Sequence, residues 1–290
     1  MDRESSGTGA GRESERGREA LSIPFVPDGA ELTAHVLVEQ ERRFVEVLRT
    51  ILESADEQGA TMRVIGSLAF RLACPDFKHL EYENQRYLTD VDFVAYGKEI
   101  DRVQDAFFSL GWSENQNVLR LFGDKRRIFY HPDEAIHSDV FIDKLRFCHE
   151  IDFRGRLEIE EATISMVDLL LEKVQIVEIN RKDLVDMMML LRQHQISTDG
   201  EDEHEIDGAY LASLCASDWG LWRTTTMNLE KAKRLAAGYL ETEDSAIVHE
   251  RLEALVRLID RAPKSVRWKL RAKVGDRVKW YREVEEVARD

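Results

Sequence analysis

Apolar residues recur along this chain with two different spacings. Over Ala30–Glu57 they return every three or four positions, which is the pattern of an amphipathic helix. Short runs of branched and aromatic residues at Met62–Ile65, Val91–Val94 and Asp139–Asp143 predict buried strands, because they lie between polar or glycine-containing segments. After Ser165 the helical spacing returns and continues almost to the end. We therefore expect an α+β protein, with a small mixed sheet and helices followed by a helical C-terminal domain.

Shorter elements connect these segments. Ser165 with Asp168 is a capping signal for a helix that starts at Met166. Helices are predicted at Leu68–Ala73, Glu99–Leu110, Met166–Glu178, Asn180–His194, Gly208–Ser217, Met227–Tyr239, Ser245–Asp260 and Val266–Val287. Strands are predicted at Val118–Phe122 and Arg126–His131, paired across Gly123–Asp124, and at Leu157–Ile159 on a sheet edge, while Leu80–Tyr87 is interpreted as an inserted loop.

Composition divides the chain into four regions. Residues 1–20 are rich in Gly, Ser, Arg and Glu and predict a disordered tail. Residues 199–207 hold six acidic residues and no Lys or Arg, which is typical of a linker. We therefore expect a sheet-containing domain at 21–198 and a helical domain at 208–290.

Charge and cysteine content narrow the class of protein. The net charge of −15 disfavours a surface that binds nucleic acid all round, because such binding depends on releasing counterions with Lys and Arg. No apolar run approaches the roughly 20 residues of a membrane span. The three cysteines form no paired motif, so we expect buried, reduced thiols and no zinc site. These features predict a cytoplasmic enzyme or binding protein.

The chemistry is concentrated in two neighbouring segments. Gly66–Ser67 follows a predicted strand, where backbone N–H groups can approach a phosphate closely. Asp90 and Asp92 lie two apart in a strand, so their carboxylates point to the same face and can share Mg²⁺ or Mn²⁺. The alternative is a solvated strand edge or an Asx turn. The apolar neighbours, however, predict a buried strand, where two unpaired carboxylates would be very costly without a metal.

A third carboxylate would complete such a cluster. Asp139 and Asp143 lie four apart on one strand and therefore face the same side. We favour Asp139, at the start of the apolar Val140–Ile142 run, with Asp143 as the alternative. In a two-metal mechanism such carboxylates position both ions, and the third one can also act as a base.

The order of these pieces resembles the nucleotidyltransferase superfamily that shares its core with DNA polymerase β. The resemblance is carried by Ile65–Gly66–Ser67, Asp90, Asp92 and Asp139 and spans roughly residues 60–195. It implies that the Gly-Ser turn binds NTP phosphates and that the carboxylates bind two Mg²⁺ ions. The spacing departs from the family pattern, since 22 residues (68 to 89) separate Ser67 from Asp90 where fewer are usual.

A second likeness lies further along the chain. Lys173 and the segment Arg181–Asp186 resemble the helical Lys and Asp-x-x-Asp of nucleotidyltransferase toxins from bacterial toxin–antitoxin and abortive-infection systems. The resemblance implies that Lys173 or Lys182 neutralises triphosphate charge, and that an antitoxin partner exists. The alternative is that Lys173, Lys182 and Asp186 form a solvated helix face with pairing between residues four apart.

A basic segment near the C-terminus offers a possible acceptor site. Residues 261–282 carry nine Lys or Arg against the single acid Asp276, with Trp268, Trp280 and Tyr281 among them. Such a surface could track an RNA backbone and stack bases. The alternative is a packed C-terminal helix whose aromatic rings face the core.

Taken together, the residues predict transfer of a nucleoside monophosphate from an NTP to a hydroxyl of a tRNA end, a protein or a small molecule. The alternative is a catalytically silent nucleotide-binding or RNA-binding protein with the same fold.

Overall fold

The structure is a computed structural model that describes residues 23–200, 202 and 204–283. The tail predicted at residues 1–20 lies outside these residues. The helices are α1 (Ala34–Glu57), α2 (Gly66–Ala73), α3 (His79–Glu83), α4 (Ile100–Ser109), α5 (Gln116–Phe122), α6 (Met166–Val174), α7 (Arg181–Gln193), α8 (Gly208–Ser217), α9 (Trp219–Leu235), α10 (Thr242–Arg261) and α11 (Val266–Ala272). The strands are β1 (Met62–Ile65), β2 (Asp92–Ala95), β3 (Ser113–Glu114), β4 (Arg126–Tyr130), β5 (His137–Ile142), β6 (Lys144–Arg146), β7 (Glu150–Asp152), β8 (Ile196–Ser197) and β9 (Ile206–Asp207).

Five strands form a mixed sheet in the order β1-β2-β5-β4-β3. Strands β2 and β5 run parallel, whereas β1 pairs antiparallel with β2, and β4 pairs antiparallel with both β5 and β3. The prediction of an α+β chain with a mixed sheet and helices is confirmed. The strand predicted at Asp139–Asp143 is β5, which lies between β2 and β4.

Helix starts follow the capping chemistry of the sequence. The Thr33 hydroxyl accepts the Val36 N–H at the start of α1, and Ser165 accepts the Asp168 N–H at the start of α6, as its spacing predicted. Asn180 and Asp183 form a reciprocal capping box at the start of α7. This box separates α7 from α6 by a short connection, so the two helices can pack against each other.

Some local predictions were wrong. Val118–Phe122 is helical rather than a strand, because the Asn115 side chain accepts the N–H groups of Asn117 and Val118 and starts α5. Leu157–Ile159 lies in turns and bends, and β7 is the strand of that region. The loop predicted at Leu80–Tyr87 contains most of α3.

The C-terminal helices also differ from their predicted lengths. Helix α9 begins at Trp219, eight residues before the predicted start, because Asp218 caps it by accepting the Gly220 and Leu221 N–H groups. Helix α11 ends at Ala272 rather than continuing to residue 287. Gly275 follows with a left-handed φ of 59°, which a continuous helix does not allow.

One hydrophobic core extends from α1 through α10, so the C-terminal helices pack on the same apolar cluster as the sheet. Within the predicted linker, Ile206 is fully buried and β9 pairs parallel with β8. Asp207 accepts the Tyr210 N–H and thereby caps α8. The division at 199–207 stays a prediction. The described helices do not combine the length and apolar character required to cross a membrane.

Candidate active site

A cleft of about 370 Å³ lies between one end of the sheet and helices α6 and α7. All seven residues predicted for the site line it, namely Gly66, Ser67, Asp90, Asp92, Asp139, Lys173 and Lys182. These residues come from the start of β2, from within β5, and from the starts or ends of the three helices α2, α6 and α7. The tertiary structure thus brings together groups that are up to 116 positions apart in the sequence.

The Gly66–Ser67 turn joins β1 to α2. Gly66 has a left-handed φ of 70°, where an added Cβ would be strained by its own backbone. The Gly66 N–H donates to Glu172 Oε2 at 3.3 Å, and the Ser67 hydroxyl donates to Glu81 Oε2 at 3.4 Å. Two donors of the turn therefore already contact buried carboxylates.

Asp90 and Asp92 project into the cleft while Val91 and Phe93 are fully buried, as strand alternation requires. Asp92 lies opposite Ile65 in the β1–β2 ladder, which places it beside Gly66. A Cβ added at Gly66 would lie 3.5 Å from Asp92 Oδ2. The Asp90 side chain is 25 % exposed, and its Oδ2 lies 3.6 Å from His137 Nε2.

The parallel register places Asp139 of β5 beside Asp92 of β2. The Asp139 N–H donates to Asp92 Oδ1 at 3.4 Å. The Asp139 carboxylate accepts hydrogen bonds from Arg126 Nε at 3.0 Å and Nη2 at 2.6 Å. Asp143, the alternative third carboxylate, follows the opposite end of β5 and accepts the Gly97 N–H at 3.0 Å. Of the two, Asp139 is the one that lines the cleft.

These carboxylates only partly match a metal centre. Within residues 23–200, 202 and 204–283, no group of three or more His, Cys, Asp or Glu side chains is arranged to hold a metal ion. Asp90 and Asp92 offer the oxygen donors that Mg²⁺ prefers, and Mg²⁺ commonly takes only one or two carboxylates together with substrate phosphates. Asp139 is engaged by Arg126, although a carboxylate has lone-pair positions for more than two partners.

Lys173 lies buried between α6 and α7. Its Nζ is 2.8 Å from Asp186 Oδ2 and 3.4 Å from Asp183 Oδ1. Burial alone would lower the Lys173 pKa, but the two aspartates outweigh it and the pKa is raised. The interpretation of Lys173 and Asp186 as a solvated helix face was wrong, because Asp186 is fully buried and also pairs with Arg86.

Lys182 differs from Lys173 in its surroundings. It lies in the first turn of α7, its side chain is exposed, and it lines the cleft. Of the two lysines, Lys182 is therefore the one whose side chain can reach an anion in the cleft without leaving a buried ion pair.

Four further charged residues at the site were missed from the sequence, namely Glu81, Arg86, Arg126 and Glu172. Burial raises the pKa of Glu172 to about 7, and burial together with Asp186 raises that of Glu81 to about 7. Glu172–Lys173 lies between the apolar residues Leu169–Leu171 and Val174, and a charged pair in such a run is a signal that could have identified Glu172. Arg126 carries no comparable signal, since its role depends on strand pairing.

The basic segment 261–282 packs its tryptophans against the protein. Trp268 lies 5.0 Å from Trp222 between ring centroids, and Trp280 lies 6.2 Å from Trp219. Trp280 Nε1 donates to the Thr224 hydroxyl at 3.0 Å. These contacts are those of the packed alternative rather than of rings held open for bases.

Comparison of the chain with protein-family models, with curated proteins and with solved structures finds no match.

Proposed function

We propose that this protein transfers a nucleoside monophosphate from an NTP to a hydroxyl group of an acceptor, with Mg²⁺ or Mn²⁺ as the metal. The observation that supports this most strongly is the convergence of a glycine turn, two strand carboxylates and an exposed lysine on one cleft. Phosphoryl chemistry needs metal ligands and phosphate-binding donors in reach of each other, because catalysis consists mainly of positioning and charge stabilisation.

Asp90 and Asp92 are the proposed metal ligands, and Asp139 is the proposed third carboxylate. Bound metal would supply Lewis-acid stabilisation of the charge on the phosphates. Arg126 fixes the orientation of Asp139 through two hydrogen bonds. That contact leaves lone pairs on Asp139 for a metal or for the proton of the attacking hydroxyl.

The triphosphate is proposed to lie at the start of α2. The N-terminus of an α-helix favours anions, because its first N–H groups have no partner within the helix. Lys182 lines the same cleft and can neutralise phosphate charge. Lys173 is already neutralised by Asp186 and Asp183, so its proposed part in nucleotide binding is to hold α6 and α7 around the cleft.

In the proposed reaction, the oxygen of the acceptor hydroxyl forms a bond to the α-phosphorus of the NTP. The bond between that phosphorus and the bridging oxygen breaks, and pyrophosphate leaves with its electron pair. The hydroxyl proton passes to a base, for which Asp139 is the candidate. The acceptor is a hydroxyl of a tRNA end, a protein or a small molecule, and the location that suits an NTP-consuming enzyme is the cytoplasm.

A second candidate is a catalytically silent nucleotide- or RNA-binding protein. One observation favours this candidate. Asp139 already contacts Arg126, Gly66 contacts Glu172, and Ser67 contacts Glu81. A protein that had lost metal chemistry would retain such contacts as structural ones.

The deciding experiment incubates the protein with each NTP, labelled at the α-phosphate, and with cell extract. A parallel incubation uses NTPs labelled at the γ-phosphate. If the protein transfers a nucleoside monophosphate, an acceptor becomes labelled by the α-labelled nucleotide but not by the γ-labelled one. Asp92→Asn should lose this labelling. Asp101→Asn, at an exposed position of α4, is the matched control and should retain transfer. Nucleotide binding without labelling of any acceptor would favour the silent protein.

A further inference from the structure

Four apolar side chains are exposed on the C-terminal surface, which we define as Val266, Leu270, Val274 and Val278. Their exposed fractions are 75 %, 59 %, 40 % and 56 %, respectively. Val266 and Leu270 lie four apart on α11, so they share one helix face. Val274 and Val278 follow α11, so four exposed apolar residues lie within 13 positions of the chain, whereas exposed apolar residues are ordinary when they are isolated.

The orientation of α11 is fixed by contacts on its other face. Ser265 caps the helix by accepting the Trp268 N–H at 3.1 Å, and the Ser265 N–H donates to the Ala216 carbonyl at 3.0 Å. Trp268 packs edge-to-face on Trp222. Because Trp268 faces inward, Val266 and Leu270 must face outward.

Cations alternate with these apolar residues along the chain. Arg267, Lys269, Lys273 and Arg277 are exposed and neighbour the four apolar positions along the chain. None of them forms an ion pair with a carboxylate in the part of the chain that the structure describes, whereas Arg223 pairs with Asp276 nearby at 2.9 Å. An apolar centre with a charged rim is the arrangement of a protein interface.

A groove lies beside the start of α11. It has a volume of about 480 Å³ and lies between α8 and the connection from α10 to α11. One wall is the small-residue face of α8 formed by Ala209, Ala212, Ser213 and Ala216. Ser265 lines the groove and directly precedes Val266 in the chain. A concave apolar groove accepts large side chains of a partner helix.

We propose that the C-terminal surface and this groove bind an acidic amphipathic helix of a partner protein. Segment 261–282 has a net charge of +8, and since the whole chain carries −15, the rest carries −23. A short acidic helix can contact the cationic rim alone. An extended polyanion or an anionic membrane would also meet the negative remainder of the protein.

The shape of the surface supports the same occupant. Apolar residues occupy the centre, where a nucleic acid would require donors for its phosphates. A flat bilayer would contact the exposed apolar residues but would leave the groove unfilled. The proposal is independent of the nucleotidyl-transfer reaction, because none of these residues lines the candidate active site.

The test uses a synthetic amphipathic helical peptide with a row of leucines bordered by glutamates, and a second peptide with lysine in place of each glutamate. Fluorescence anisotropy with the full chain should show the acidic peptide binding at least about tenfold more tightly. Leu270→Asp should weaken its binding by about tenfold or more, as expected for a central contact. Leu121→Asp, on the exposed part of α5, is the matched control and should bind normally.

Charge is tested separately. Reversal of Arg267 and Lys273 to Glu should weaken acidic-peptide binding and flatten its dependence on salt, while Arg49→Glu on α1 should not. Equal affinity for the two peptides, or an unchanged affinity in Leu270→Asp, would overturn the proposal. The proposal would also be overturned if phosphatidylserine vesicles bound more tightly than the acidic peptide and this binding were lost in the same variants. If removal of residues 284–290 raised peptide affinity tenfold or more, the chain's own end would be the occupant instead.

Discussion

Arg126 of β4 donates two hydrogen bonds to the carboxylate of Asp139 on the neighbouring strand β5, at 3.0 and 2.6 Å. Asp139 lies directly opposite Ile128 in the ladder, so Arg126 reaches it diagonally across the strand pair. This pair determines how the third carboxylate is presented to the cleft.

The Arg126–Asp139 pair can be tested against a neighbouring pair. Arg126→Gln should lower the free energy of unfolding by roughly 3 kcal/mol, because Asp139 is buried and would lose its cation. It should also impair transfer. Arg127→Gln breaks the buried pair with Glu114 and should cost a similar amount in denaturant unfolding while leaving NTP binding intact. Equal losses of NTP binding in both variants would show that the effect of Arg126 is only structural.

The metal pair predicts a non-additive loss of activity. Asp90→Asn and Asp92→Asn should each abolish transfer, and the double variant should lose little more, because residues that act as a unit are not additive. The measurement is transfer of α-label as Mg²⁺ or Mn²⁺ is titrated. Wild-type transfer by either single variant would remove that residue from the metal site.

Two glycines in the same backbone conformation allow a controlled test of the phosphate turn. Gly66 and Gly155 have φ angles of 70° and 72°. Alanine at either position should cost about 1 kcal/mol of stability through left-handed strain. Only Gly66→Ala should weaken NTP binding, measured by calorimetry, since Gly155 does not line the cleft. Comparable NTP affinity in both variants would make the turn purely structural.

The two lysines of the site should behave differently. Lys173→Met leaves Asp183 and part of the Asp186 charge uncompensated in the interior and should cost about 3 kcal/mol of unfolding free energy. Lys182→Met, at an exposed position, should change stability by less than about 0.5 kcal/mol. It should nevertheless reduce NTP affinity. Unchanged affinity in Lys182→Met would exclude this lysine from the phosphate site.

Glu172 predicts a pH dependence of stability. Burial raises its pKa from an ordinary 4.5 to about 7. Between these values the folded protein retains a proton that the unfolded chain releases, so the free energy of unfolding falls as pH rises through this window and levels off above it. The free energy of unfolding of Glu172→Gln, taken relative to that of wild type, should therefore rise by roughly 3 kcal/mol as the pH increases from about 4.5 to 8.

The pH profile of wild type must be compared with that of Glu172→Gln, because His149 changes the free energy of unfolding in the opposite direction. Burial lowers the pKa of His149 to about 4, so its contribution to stability rises with pH between about 4 and its ordinary 6.5. Glu178→Gln, at an exposed position just after α6, is the matched control and should follow the wild-type profile. A Glu172→Gln profile parallel to wild type would show that Glu172 does not titrate in this window.

Local patterns in the sequence were sufficient for the elements whose signals lie within a few residues. The strand Met62–Ile65 and the helix Gly208–Ser217 have their predicted bounds. The three cysteines are free and buried. The predicted strand at Val118–Phe122 failed because its apolar residues suit either structure, and the Asn115 cap favours the helix.

The sequence by itself predicted the seven residues that line the cleft, because a glycine turn and alternating aspartates are local patterns. Only the tertiary structure decided how those residues are partnered. The parallel register of β2 and β5 placed Asp139, rather than Asp143, beside Asp92. The packing of α6 on α7 buried Lys173 against Asp186, and the position of α6 brought Glu172 to Gly66. The partners in these contacts lie 47, 13 and 106 positions apart, so strand register and helix packing decide them and no local spacing encodes them.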